Sequence, residues 1–305
     1  MGVSLSELRR VCQLPVAAGN DVAGLLFGDK ASLPLTKLFI DRGWSPSVAT
    51  VGMLVFGVLG AALQFGGGVA ALLGALLLVL YYILDCVDGE VARWRKVEHA
   101  RWGYYEYLFH FIVKPLVFLC LGFAAWSETG HIAFVVAAVA AAVATLWLKL
   151  FFAVPGLGFV GAVLRRNGSE DRPYREYLAE AQRQADAEES APRRAGKEVE
   201  EVFRLRLDLV TLRALGTNFD VGLLALVAAS VVDLLVPGLS LPILGGVGLR
   251  ELWLLYYGVV LPLDFVDYVQ TYVRKGHFDR TMVTFIARAH GFAVAPSSGP
   301  RDDER

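Results

Sequence analysis

The chain has 305 residues, 55% of them apolar, and a mean hydropathy of +0.50. That balance excludes an ordinary soluble domain and places the protein in the membrane class. A net charge of −1 excludes a general basic field for nucleic acid.

The N-terminus, "MGVSLSELRRVCQLPV", lacks the short apolar core and small-residue cleavage site of a signal peptide. Met1-Gly2 with Ser6 fits a myristoylation pattern only loosely and is read as chance. The stretch "PLTKLFIDRGWSPS" (34–47) mixes Leu, Phe and Ile with Lys37, Arg42 and Trp44. That mixture predicts a helix at the headgroup boundary, so residues 1–47 read as a cytosolic, interfacial N-terminal segment.

A helix needs about 20 apolar residues to span a bilayer. Six stretches qualify, at 48–66, 69–88, 104–125, 132–153, 217–236 and 251–273. Only "FGGG" separates the first two, which predicts a tight helical hairpin. Spans one to four thus fill 48–163, and spans five and six fill 214–275. The insert between them, 164–213, is rich in Ala, Glu, Gln and Arg and reads as a cytosolic helix pair broken near "SAPRRAG". Residues 276–305 read as a partly disordered cytosolic tail. The expected fold is all-α: a bundle of six transmembrane helices with an N-terminal interfacial helix.

Charge orients the bundle. Arg9, Arg10, Lys37 and Arg42 precede the first span, and Arg93, Arg95, Lys96 and Arg101 lie between the second and third. Further Arg residues fill the insert, and Arg274, Lys275 and Arg280 follow the last span. The alternate loops hold a single Arg between them. The positive-inside rule puts both termini in the cytoplasm of a multi-pass protein of the cell (inner) membrane. Cys12, Cys86 and Cys120 are scattered, with no metal or disulfide spacing.

The end of the second span reads "LDCVDGEVARW" (84–94). On a helix Asp85, Asp88 and Ala92 share one face, with Gly89 beside them. Two carboxylates one turn apart repel unless a cation lies between them, and hard ions such as Mg²⁺ or Mn²⁺ take such oxygens. Gly89 and Ala92 leave the face bare for a bulky ligand, and Arg93 suits a carboxylate or phosphate. A lone Asp at a helix end is most simply an interfacial acid beside a snorkelling Arg; the whole string is more than that.

The string Asp-x-x-Asp-Gly-x-x-Ala-Arg resembles the signature of the CDP-alcohol phosphatidyltransferases, integral membrane enzymes of phospholipid synthesis. The resemblance covers this signature, the six-span layout and the "RGWSPS" lead-in, and leaves the insert and tail unexplained. It implies Asp85 and Asp88 as metal ligands, with Asp85, Gly89, Ala92, Arg93 and Gly103 around the nucleotide. The family's second half departs here. Counting from Arg93, its third and fourth acids fall on Glu106 and His110, and its glycine on Trp102, with Gly103 one place late. Anchoring on Gly103 instead gives Tyr107 and Phe111, which cannot hold a hard metal. Glu106 and His110 are one turn apart and both bind metal or protons.

The resemblance implies that the fourth acid is the general base. A His with an ordinary pKa of about 6.5 suits that task, and neutral imidazole suits Zn²⁺ or Mn²⁺ better than Mg²⁺. Two readings stay open: His110 is the base of an active variant, or the site is degenerate. Lys114, one turn further on, is placed to face phosphate or to neutralise the acids; Arg165 and Arg166 are placed for a phosphorylated acceptor or for headgroups. Lys149 reads as a snorkelling side chain and Asp220 as a helix-start acid. Asp264 and Asp267 fit either an acceptor pocket or a helix-helix hydrogen bond.

The expected function is transfer of a phosphatidyl or phospho-alcohol group from a CDP-linked donor such as CDP-diacylglycerol to an alcohol acceptor, releasing CMP. The site would use one or two Mg²⁺ or Mn²⁺ ions, with membrane lipid as a partner, no nucleic acid, and a homodimer compatible with the resemblance. The alternatives are a silent scaffold of the same fold that binds nucleotide or lipid, and last a transporter, for which inverted repeats are missing.

Overall fold

The computed structural model describes residues 3–19, 22–97, 100–166, 176, 178–183, 213, 215–236, 247–274, 283 and 286. Among them every regular element is a helix. A single turn, α1 (Leu5–Leu8), starts at Ser4, whose Oγ accepts from the Glu7 N–H at 3.2 Å. Wider and tighter turns follow over Arg9–Gln13, Leu14–Gly19 and Gly24–Gly28. Then come α2 (Asp29–Asp41), α3 (Pro46–Leu63), α4 (Gly68–Arg95), α5 (Ala100–Thr129), α6 (Ala133–Arg166), α7 (Phe219–Leu235) and α8 (Leu249–Arg274).

Among the described residues, five stretches are long and apolar enough to cross a membrane: Pro46–Leu63, Gly68–Arg95, Tyr104–Thr129, Ala133–Phe151 and Leu249–Gln270. The expected fifth span, 217–236, becomes α7, whose 17 residues stand at the short end of the spanning range of about 17–25. The protein is an all-α membrane bundle. Along α3, Val48, Val51, Val55 and Leu59 share one exposed face, as side chains that meet lipid do.

The second span runs past its expected end at 88 to Arg95, so the whole Asp85–Arg93 string rides one unbroken helix. Lys96 stops it by adopting the left-handed conformation at φ 54°. The Lys96 and Val97 N–H groups then return to the carbonyls of Arg93 and Ala92, which closes the last turn. The "FGGG" turn lets α3 and α4 pack closely. A Cβ on Gly60 would lie 2.9 Å from the Gly74 carbonyl oxygen, and one on Gly74 would lie 2.7 Å from that of Gly60. Backbone meets backbone there, a contact that small residues alone permit. Helix α4 also packs against α2 and α7, and α3 against α5.

The interfacial helix differs from its expected bounds of 34–47. It starts earlier, at Asp29, and ends at Asp41; a turn at Gly43 and an edge-on contact of Phe39 with Trp44 follow. Its buried face is mostly polar, formed by Asp29, Ser32, Thr36 and Phe39, while Leu38 points outward. This inversion has one cause, the buried carboxylate of Glu90 on α4. Glu90 accepts hydrogen bonds from Gln13 Nε2 (2.7 Å), Ser32 Oγ (2.6 Å) and Thr36 Oγ1 (2.5 Å). Gln13 Nε2 also reaches the Asp29 carbonyl at 2.6 Å. A buried carboxylate without such donors would cost several kcal/mol. Gly28 permits the approach, since a Cβ there would stand 2.9 Å from the Tyr82 ring.

The chain divides into two compact units, Met1–Leu146 with Glu198–Asp264, and Trp147–Lys197 with Phe265–Arg305. The first carries every candidate site residue except Arg165, Arg166 and Asp267. In the second, Phe265 packs against Trp147 and Phe151. Of the expected insert 164–213, residues 178–183 are helical, with Arg183 paired to Glu180 at 2.9 Å. Most of the rest of the insert, and nearly all of the tail at 276–305, lie outside the described residues.

Thr36→Val removes one donor from the Glu90 carboxylate, a loss of about 1.5–3 kcal/mol for a charge-assisted bond. Thermal unfolding in detergent should show it. Cys12 gives an independent readout. Its thiol is buried in the docked segment, and burial, then Glu90, push its pKa up from 9.0 to about 11 against the pull of Arg93. Between those two values the docked thiol stays protonated where a released one ionises, so docking weakens as pH rises through that window. Iodoacetamide should therefore label Cys12 faster in Thr36→Val than in wild type, by roughly tenfold per 1.4 kcal/mol lost.

Candidate functional site

Spacings of four and three set Tyr81, Asp85 and Asp88 on one face of α4, and a spacing of four lines Glu106, His110 and Lys114 along α5. Where the two helices meet, one ligand atom each from Asp85, Glu106 and His110 lies within 4.8 Å of the others. His110 Nε2 stands 3.1 Å from Asp85 Oδ1, and its Nδ1 stands 2.5 Å from the Tyr81 hydroxyl. The two rings meet edge-on. Tyr81 is fully buried and His110 nearly so, whereas Asp85 and Glu106 are half-buried. The cluster therefore opens through its carboxylates and is closed behind the imidazole. Two carboxylates and an imidazole at this separation suit a divalent cation and can also accept a proton.

The count from Arg93 selects the pair of α5 side chains that converge on Asp85. The count from Gly103 does not: Tyr107 is 53% exposed. Gly103 itself lies in the first turn of α5. Asp88, expected beside Asp85 as a ligand, stands outside the convergent set. It is buried, and its Oδ2 accepts from Thr50 Oγ1 of α3 at 3.1 Å. The threonine hydroxyl lies 3.3 Å from the Pro46 carbonyl as well.

Arg93 also differs from expectation. Its Nε donates to the Cys12 carbonyl at 2.5 Å, a backbone oxygen of the docked N-terminal segment, rather than to an acid. Its guanidinium covers Gly89, where an added Cβ would meet Nη1 at 3.0 Å. The surface that Gly89 was expected to leave bare is thus occupied by Arg93, with Ala92 half-buried alongside.

Lys114 does not face the acids of the cluster. Its Nζ pairs with Asp220 Oδ2 of α7 at 2.8 Å and lies over the Phe219 ring at 5.0 Å. Asp220 follows the cap residue Asn218, whose Oδ1 accepts from the Val221 N–H at 2.9 Å. Asp220 Oδ1 is buried with no hydrogen-bond partner. Asp264 pairs with Arg213, at 2.5 Å to Nη2 and 3.2 Å to Nε, so of its two expected roles it takes the contact between elements. Arg165 and Arg166 end α6, and their side chains lie outside the described residues.

Sequence reasoning missed Tyr81, Thr50 and Glu90. Tyr81 left a signal, a polar tip four residues before Asp85. Thr50 left none, because only the tight α3–α4 packing brings it to Asp88. Glu90 sits inside the string, at a position that the resemblance leaves free.

Lys114→Met should destabilise the protein by about 3–5 kcal/mol, because it leaves the Asp220 charge buried and unpaired. Adding Asp220→Leu should recover most of that loss, since the two effects share one contact. Unfolding of both variants in detergent measures the difference. Neither a protein-family model nor a curated protein matches the chain.

Proposed function

We propose that the protein is a membrane phosphotransferase of the CDP-alcohol phosphatidyltransferase kind. It moves a phosphatidyl or phospho-alcohol group from a CDP-linked donor to an acceptor hydroxyl and releases CMP. One observation carries the reading: Asp85 from the signature and the two residues counted forward from Arg93 converge within 4.8 Å. A site at the basic ends of α4 and α5 fits a cytoplasmic active site, with both termini on that side. There a water-soluble partner can meet a lipid.

The donor set fits a divalent cation held by Asp85, Glu106 and His110. When bound, that ion would polarise the donor pyrophosphate and offset charge on the departing CMP. The acceptor oxygen bonds to the phosphorus attached to the alcohol or lipid, and the phosphorus–oxygen bond to CMP breaks, its electron pair leaving with CMP. The hydroxyl proton passes to the cluster, where Glu106 and His110 are the acceptors in reach. The buried wall of Tyr81 behind them limits water on that side.

A silent scaffold is the second reading, favoured by Arg93, whose Nε is given to the Cys12 carbonyl. Purified protein incubated with CDP-diacylglycerol, Mg²⁺ or Mn²⁺ and a panel of alcohols decides between the two. The expected result is CMP release, falling by about 100-fold or more in Asp85→Asn, as when one preorganised electrostatic group is lost. No CMP with any donor and acceptor leaves the scaffold. Full activity in His110→Ala would assign the proton to Glu106.

A further inference from the structure

We infer that Asp85, Glu106 and His110 form a one-ion site that prefers a transition dication, Zn²⁺ or Mn²⁺, over Mg²⁺, with His110 bound through Nε2 and Tyr81 holding the ring by its other nitrogen, Nδ1. The use made of the ion rests on the proposed function; its binding does not.

The first support is direction. Of the two ring nitrogens, Nε2 faces Asp85 at 3.1 Å and Nδ1 is held by the Tyr81 hydroxyl. A metal-bound imidazole gives its other nitrogen to a hydrogen-bond partner that holds the ring in place, which is the part Tyr81 plays. Without an ion, Nε2–H donates to Asp85 and Nδ1 accepts from the phenol. With an ion, Nε2 presents its lone pair and Nδ1–H donates to the phenol oxygen.

The second support is number and kind. Asp85 and Glu106 bring two negative charges, which one dication neutralises, while Asp88 is drawn away to Thr50. An imidazole in place of a fourth acid favours Zn²⁺ or Mn²⁺ and disfavours Mg²⁺, which holds oxygen and water.

The test is equilibrium binding to the metal-stripped, full-length protein in detergent, without substrate. Free Mn²⁺ is followed by electron paramagnetic resonance, and Mg²⁺ and Zn²⁺ serve as competitors. The inference expects one Mn²⁺ per chain, displaced readily by Zn²⁺ but more than about tenfold less well by Mg²⁺. Tyr81→Phe should weaken Mn²⁺ by about 10–100-fold, the usual effect of losing a partner behind a ligand. His110→Asp should erase the preference while keeping an ion, and that gain of Mg²⁺ competition survives even where Tyr81→Phe folds poorly. Two ions per chain, Mg²⁺ competing as well as Zn²⁺, or an unchanged preference in His110→Asp would overturn it. One tightly held Mn²⁺ with no CMP release would instead overturn the transferase reading and keep this one.

Discussion

A charge placed among membrane-spanning helices must find a polar partner, because lipid offers none. That constraint organises this bundle. Glu90 is met by Gln13, Ser32 and Thr36; Asp88 by Thr50; Lys114 by Asp220; and Asp264 by Arg213. Asp233, near the end of α7, receives the backbone N–H groups of Leu249 and Arg250 at the start of α8. Each pairing joins separate elements, so the polar contacts that satisfy charge also set which helix lies beside which.

Against that background the Asp85, Glu106 and His110 cluster differs in kind. Its two carboxylates point at the same place, and the only cation-capable group among the three is an imidazole. Like-charge convergence is costly on its own and becomes favourable with a positive ion. The neighbouring lysine, Lys114, is engaged elsewhere, with Asp220.

Much of the fold was legible in the sequence because a span declares itself locally, by a run of apolar residues of sufficient length. The bounds of α3, α7 and α8 fall within a few residues of the expected ones. The site was partly legible for the same reason: helical spacing ties Asp85 to Asp88 and Glu106 to His110. What the sequence hid was long-range. Glu90 and its donors are 54 to 77 residues apart, and Thr50 lies 38 residues from Asp88. No local pattern records such pairs, so α2 read as an ordinary interfacial helix when its polar residues in fact face inward. The carbonyl that Arg93 Nε reaches was hidden likewise, since it lies 81 residues away.

The docking of α2 on Glu90 has a consequence for how the protein is made. Thr36 leaves the ribosome 54 residues before the carboxylate it serves. At roughly 5–20 residues per second, the N-terminal segment spends roughly 3–10 seconds with its inward face unmatched. During that interval Ser32 and Thr36 have only water or headgroups as partners. Docking must then run backwards along the chain: α3 and α4 are made before α2 can settle, and the earliest part of the chain joins α4 last.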